Sequence, residues 1–340
     1  PSRLPVGKSG AALSPFQSRK RAIAQSLAVQ GFSETYNYPF ISQGMIDTLG
    51  FVGDRAKAFR LANPMSEEFP LLRTHLLPGL LQAAVRNQSR GFKDVAVFEI
   101  GSVFRDTATL PQVPSISTDQ RPTKAELDLM YSSVPAQPVQ VAGVVLGKLA
   151  PKNWSNSGQE YSWSDAINAA GRIIEETGNT FEIVASDFAP WHPGRCAELQ
   201  VEGRAVAHAG ELHPRVIASL GLPARSCAFV VVLSALPYVA TLRAPHVWTM
   251  PAASQDISLI LDSHIPAIDV ENALRSGAGD LLESITLFDR YEKEGDPKVS
   301  LAFTMVFRAP DRTLTAEEVT GYREAAGAKA TELCGAVVRS

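Results

Sequence analysis

The chain has 340 residues, 45% of them hydrophobic and 20% charged, which gives apolar material for two or three domains of ordinary soluble composition. A formal net charge of −3 excludes a protein that is basic throughout, so any nucleic-acid binding has to come from a local patch or a partner. Three widely spaced cysteines (Cys196, Cys227 and Cys334) with no CxxC speak against a disulfide scaffold and a zinc site, and fit a reducing cytoplasm.

Residues 1–13 are rich in Pro, Gly and Ser, lack an initiator Met and carry no signal-peptide apolar region, so they read as a linker within a longer chain. No apolar run approaches the roughly 20 residues that span a bilayer. Ser14, Pro15 and Gln17 give an N-cap, a first-turn proline and a capping box, and Phe16, Ile23 and Leu27 fall near one face of the helix that follows, up to Gly31. The aromatic stretch TYNYPF (35–40) reads as a strand, and a second long helix is expected over 76–88. DVAVFEIGSVFR (94–105) reads as a strand, a turn at Gly101 and a second strand. Residues 107–138, rich in Pro, Ser, Thr and Gln, read as a mobile insertion with one short helix over 124–131.

The apolar run over 139–147 is expected to be a buried strand. A helix over 164–177, strands near 181–186, 197–202 and 228–234, and a short helix over 214–220 complete a first module spanning 14–240. From about Trp248 the pattern changes. SQDISLIL alternates, PAIDVENALRSG reads as a helix, ESITLFDRY as a strand, and VSLAFTMVF alternates most strictly, with Val299, Leu301, Phe303, Met305 and Phe307 on one face. Thr315 and Glu318 form a capping box before a helix with Val319, Tyr322, Ala326, Ala330 and Leu333 at 3–4 spacing, and GAVVR closes as a strand. The order β-α-β-β-α-β over 248–340 is the ferredoxin-like split motif, with one sheet face packed and the other free for a ligand.

The chemistry-bearing motifs are few. There is no GxxxxGK[ST], GxGxxG or GxSxG. HAGELH (208–213) is neither HExxH nor HxxEH and falls where a strand turns into a helix, which favours capping over metal binding. WHPGRCAEL (191–199) brings His192, Arg195, Cys196 and Glu198 close in sequence, but Pro193-Gly194 reads as a turn and Cys196 as the buried start of a strand. Neither catalytic nor metal-ligating residues are assigned.

GFSETYNYPF, LANPMSEEFPLLRTHLLPGLL, NQSRGFKDVAVFEIGSVFR, WHPGRCAEL, GELHP and FRAPDRTLTAEEV, in that order, resemble the C-terminal portion of bacterial phenylalanyl-tRNA synthetase β subunits. The resemblance implies an α+β chain: a class II synthetase-like antiparallel sheet module without activity, then a ferredoxin-fold anticodon-binding domain. It also implies an α2β2 partnership with a catalytic α subunit, tRNA(Phe) as ligand, cytoplasmic location and no membrane. The family's further tRNA-binding and editing domains lie outside these residues. ATP and magnesium serve the holoenzyme, and none is bound by this chain. Arg105 is similar to the Arg of the second class II signature, but DTATLPQVP follows it instead of an acidic and aromatic hairpin. The third signature, ending in Glu-Arg, is missing, so Arg73 and Arg105 are expected to be fold or interface residues. By the same resemblance Tyr291 stacks on an anticodon base, Asp289 and Ser300 hydrogen-bond base edges, and Ser258 packs beside them. Arg290, Lys293, Lys298, Arg308 and Arg312 are candidate phosphate contacts. Two other readings stay open from the residues: a free-standing RNA-binding or regulatory synthetase paralogue, and an independent enzyme built on the WHPGRC turn.

Overall fold

The computed structural model describes residues 10, 12–105, 110, 115–117, 119–240, 244, 247–293 and 295–339. The chain divides into two compact units, Pro1–Leu242 and Arg243–Ser340. It is an α+β protein, as the sequence suggests.

In the first unit, α1 (Pro15–Val29) starts at the expected Ser14–Gln17 capping box and buries Ile23 and Leu27. Then come β1 (Ser33–Glu34), β2 (Phe40–Ile41), α2 (Gln43–Thr48), β3 (Leu71–Leu72), α3 (Leu77–Ser89) and β4 (Val95–Ser102). Next are α4 (Lys124–Ser132), β5 (Val139–Leu146), β6 (Lys148–Ala150), β7 (Gln159–Glu160) and α5 (Trp163–Glu176). The unit continues through β8 (Glu182–Ala185), β9 (Trp191–Val201), β10 (Arg204–Leu212), α6 (Pro214–Leu220) and β11 (Cys227–Val232). Seven strands form one sheet in the order β1-β4-β5-β11-β10-β9-β8. Only β1 and β4 pair in parallel; the other neighbours are antiparallel.

Two apolar clusters lie on this unit's sheet. One joins Ile23 and Leu27 of α1 and Ala170 and Ile174 of α5 to Phe98, Val141 and Phe229. The other joins Met45 and Ile46 of α2, Leu80 of α3 and Val216 of α6 to Val97, Val144 and Trp191. The central strands are apolar on both faces because helices cover both, which is why β5 reads as a continuous apolar run.

Three local expectations are corrected. Residues 35–39 are not a strand: Tyr36 and Tyr38 are 85% and 84% exposed, and Pro39 offers no N–H. Their aromatic content marks a surface, not a sheet. Gly101 makes no turn; β4 runs through it, paired with Gln140. The residue is small because a Cβ there would stand 2.4 Å from Nη2 of Arg73. The WHPGRC turn is a bulge inside β9. Trp191 pairs with Leu212 and Cys196 with Gly210, so residues 192–195 swell out of the ladder. Gly210 permits this: its φ is +153°, and a Cβ would meet the Arg195 carbonyl oxygen at 2.1 Å. Within the span 107–138, α4 starts at a Thr123–Glu126 capping box and Ala136 bridges Arg105. Residues 106–109, 111–114 and 118 of that region lie outside the described residues.

The second unit has β12 (Ala253–Asp262), α7 (Ala267–Ala278), β13 (Leu282–Glu292), β14 (Lys298–Phe307), α8 (Ala316–Cys334) and β15 (Val337–Arg339). This is the expected β-α-β-β-α-β order. The sheet order is β13-β14-β12-β15, all antiparallel. Ile257, Leu259, Leu301, Phe303 and Phe307 pack under Val270 and Leu274 of α7 and Val319 and Ala326 of α8. Leu333, expected on that apolar stripe, is exposed near the end of α8.

Candidate nucleic-acid interface

Alternation along β12 and β14 buries the odd-numbered residues from Ile257 to Leu261 and from Val299 to Phe307, leaving the even-numbered ones on the opposite, open face. Antiparallel partners share a face, so the register builds rows across it. One row is Tyr291–Ser300–Ile260–Val337. The next is Asp289–Ala302–Ser258–Arg339. A third is Thr286–Thr304–Asp256, where the Thr304 hydroxyl donates to Asp256 at 2.7 Å. The structure therefore brings Ser258, Asp289, Tyr291 and Ser300 together in two adjacent rows. Tyr291 is 63% exposed, so its ring is available for stacking.

The sequence-predicted cations scatter. Lys298 follows the parity of Ser300 and lies on the open face one row beyond it, opposite Asp262. Lys293 is exposed just after β13. Arg290 pairs in register with buried Leu301, which puts it on the other face, and it binds Glu292 at 2.7 Å. Arg308 is held by Glu283 at 2.8 Å and by the Met250 carbonyl, with its guanidinium over the Trp248 ring. Arg312 binds Glu318 at 2.7 Å. Of the five, Lys293 and Lys298 keep cationic ends without an ion pair among the described residues.

Sequence reasoning missed Arg339. It is exposed, on the edge strand β15, in the row of Ser258. The ferredoxin-like order held the signal, because that topology sets the last strand beside the first.

The other sequence candidates have structural roles. Nη1 of Arg73 binds Glu99 at 2.5 Å with both side chains buried, its Nε donates to the Ser102 carbonyl, and Asn37 donates to the second Glu99 oxygen at 2.8 Å. Arg105 is partly buried, and burial lowers its pKa. Cys196 is buried, and burial pushes its thiol up to about 11. His192 Nδ1 accepts from the Gly194 N–H within the bulge, while Arg195 binds Glu211 at 2.7 Å. In the HAGELH stretch, His208 lies in mid-strand against Glu198, and His213 caps α6 by accepting from the Arg215 N–H. No group of three or more metal-ligating side chains occurs among the described residues. No helix among them is long and apolar enough to cross a membrane.

One further surface is prominent in the first unit. Tyr36, Tyr38, Phe40, Met65, Phe69 and Arg86 line a groove of about 550 Å³. Met65 and both tyrosines are largely exposed, and the rings of Tyr38 and Phe40 stack at 6.5 Å.

Residues 1–233 match the family described as the phenylalanyl tRNA synthetase beta chain CLM domain, and residues 249–339 match the ferredoxin-fold anticodon binding domain. Among curated relatives, the phenylalanine–tRNA ligase beta subunit of Streptomyces avermitilis is 44% identical over 350 residues, covering 100% of this chain and 42% of the relative. Those of Thermobifida fusca and Nocardia farcinica are each 42% identical, with 100% of this chain and 42% and 41% of their own length covered. The chain thus spans about two fifths of the length of these relatives. A solved pyrrolysyl tRNA synthetase of Desulfitobacterium hafniense aligns with 64% of this chain and 63% of its own at 15% identity, with a TM-score of 0.43.

Proposed function

The chain belongs to the family of phenylalanyl-tRNA synthetase β chains, and from that premise we propose that it is the non-catalytic portion that scaffolds a catalytic α subunit and binds the tRNA(Phe) anticodon. The reaction served is ATP-dependent charging of tRNA with phenylalanine, in an α2β2 enzyme of the cytoplasm. The observation that carries the proposal is the open sheet face of the second unit, where Tyr291, Ser300, Asp289 and Ser258 occupy neighbouring rows. Single-stranded RNA loops are read by this combination of a stacking ring and hydrogen-bonding groups aimed at exposed base edges. The Asp289 carboxylate can accept from paired N–H groups of guanine, and a serine hydroxyl can donate or accept. Lys298 and Arg339 flank these rows and supply charge for the phosphates.

Phenylalanine, ATP and magnesium are assigned to the α subunit. The first unit is read as class II synthetase-like, with its former cationic positions given over to the fold. The Arg73 guanidinium is committed to Glu99, and one remaining Arg105 does not replace the set of cations that adenylate formation needs. The exposed aromatic groove around Tyr36 and Tyr38 supports α-subunit docking, because apolar surface of this kind marks an interaction site.

Size-exclusion chromatography with light scattering tests the scaffold role. A mixture of this chain with the α subunit from the same source is expected to co-elute as a stable complex. Separate elution of two folded proteins would instead favour a free-standing RNA-binding paralogue.

A further inference from the structure

We propose that the first unit carries a second RNA-binding surface, at the sheet end where β4 begins and β5 ends. Arg90, Lys93, Lys148 and Lys152 meet phosphates there, and Phe92 and Trp154 stack on unpaired bases. This surface lies in a different unit from the anticodon rows and stands on separate observations.

Register fixes the place. Val95, the first residue of β4, pairs with Leu146, the last of β5, so Lys93 and Lys148 lie just beyond neighbouring strands at one end of the sheet. Between the strands and the next hairpin, Gly147 takes φ +74°, and a Cβ there would stand 2.5 Å from the Lys93 carbonyl oxygen. That close turn sends the chain into the β6–β7 hairpin, where Lys148 pairs with Glu160 and Ala150 with Gln159. One oxygen of Asp94 is taken up by the turn, accepting from the Lys148 N–H at 2.8 Å.

The hairpin tip is tied together by its own asparagines. The Asn153 N–H donates to the Asn156 carbonyl at 2.9 Å, Asn153 Oδ1 accepts from the Ser155 N–H and hydroxyl, and Asn156 Oδ1 accepts from the Gly158 N–H. These bonds close the loop around Trp154, which is 99% exposed. Phe92, between α3 and β4, is 60% exposed. A ring as exposed as Trp154 adds no burial to the fold; a base stacked on it would supply that burial.

Charge selects the partner. Arg90, Lys93, Lys148 and Lys152 are exposed and form no ion pair among the described residues. Over segments 90–94 and 147–160 these cations are set against two carboxylates, Asp94 and Glu160, so this end is net positive in a chain whose formal charge is −3. Lysine and arginine ends hold a phosphate chain without regard to sequence, and aromatic rings accept any base. The two together suit an RNA strand with unpaired bases.

The test uses this chain and a labelled tRNA(Phe) transcript, with Kd measured by fluorescence anisotropy over a series of salt concentrations. The triple variant Lys93→Ala/Lys148→Ala/Lys152→Ala is expected to raise Kd about tenfold and to lower the slope of log Kd against log salt by about 2. The same three positions changed to Arg should keep both. Trp154→Ala is expected to raise Kd about tenfold with an unchanged melting temperature, and Trp154→Phe to restore it. Both losses should persist on a transcript whose three anticodon bases are replaced. Unchanged affinity and salt slope in the lysine variant, beside weakened binding by Tyr291→Ala, would overturn the second surface and leave the anticodon reading standing. A lysine variant that binds tRNA normally but no longer co-elutes with the α subunit would give this end to a protein partner and overturn the proposal. Losses that vanish on the replaced anticodon would also overturn it, because the residues would then serve anticodon reading alone.

Discussion

Tyr291 on β13 and Ser300 on β14 face each other directly across the sheet pair of the second unit. One offers an exposed ring of a kind that can stack on a base; the other offers a hydroxyl that can donate or accept a hydrogen bond. Eight residues lie between them in the sequence, and only the register of β13 against β14 puts them side by side. The adjacent row repeats the arrangement with Asp289 and Ser258 around Ala302.

Replacing Tyr291 by Ala should weaken tRNA binding by about 1–3 kcal/mol, the usual worth of one stacked base. In the complete enzyme, phenylalanine activation measured by pyrophosphate exchange should not change. Unaltered tRNA affinity in a filter-binding assay would take Tyr291 out of the site.

The Arg73–Glu99 pair makes the opposite kind of prediction, about stability. Both side chains are buried, and Asn37 and the Ser102 carbonyl satisfy their remaining groups. Arg73→Ala leaves the Glu99 carboxylate buried and unpaired, which should cost about 3–5 kcal/mol. Urea denaturation should show this as a lower midpoint. A midpoint equal to that of the unaltered chain would mean that the pair does not hold β4 to the segment before α3.

The sequence foretold the second unit more completely than the first. Strict alternation in β14, the Thr315–Glu318 capping box and the βαββαβ order all follow from local chemistry, and there they agree with the tertiary structure. The errors lie where tertiary contacts override local signals. Gly101 is a turn residue in isolation, but here it makes room for Arg73. Pro193-Gly194 sits in a bulge because Gly210 on the neighbouring strand lets the backbone approach. In the site, Tyr291, Asp289, Ser258 and Ser300 were legible through the family resemblance, whereas Arg339 required knowing that β15 pairs with β12. Arg290 was misleading because a sequence list of cations carries no face.

His75 should make stability depend on pH. It is fully buried with its Nδ1 accepting from the Leu77 N–H, and burial, with Arg105 and Arg55 nearby, holds its pKa well below the ordinary 6.5. The unfolded chain therefore takes up a proton first as pH falls. Stability should be complete above about pH 6.5 and decline below it, by up to about 1.4 kcal/mol per pH unit. His75→Gln should flatten that slope in denaturation series between pH 7 and pH 5. An unchanged slope would place the dependence on other groups.

The thiols distinguish the scaffold from an enzyme built on the WHPGRC segment. Burial pushes Cys196 to about 11 and Cys227 to about 12, and Cys334 is the one that is partly exposed. At pH 8 a disulfide reagent should titrate Cys334 first, and the other two should react only on unfolding. Rapid, stoichiometric modification of Cys196 in the native protein would point to a nucleophile.

The most direct test of the central claim compares two RNAs that differ only in the anticodon. The affinity of this chain for tRNA(Phe) is measured beside that for the same tRNA with its three anticodon bases replaced, at one salt concentration. If the open face of the β13–β14–β12–β15 sheet reads the anticodon, replacement should weaken binding at least tenfold, and Tyr291→Ala should erase most of that difference. Equal affinity for the two RNAs would contradict the account.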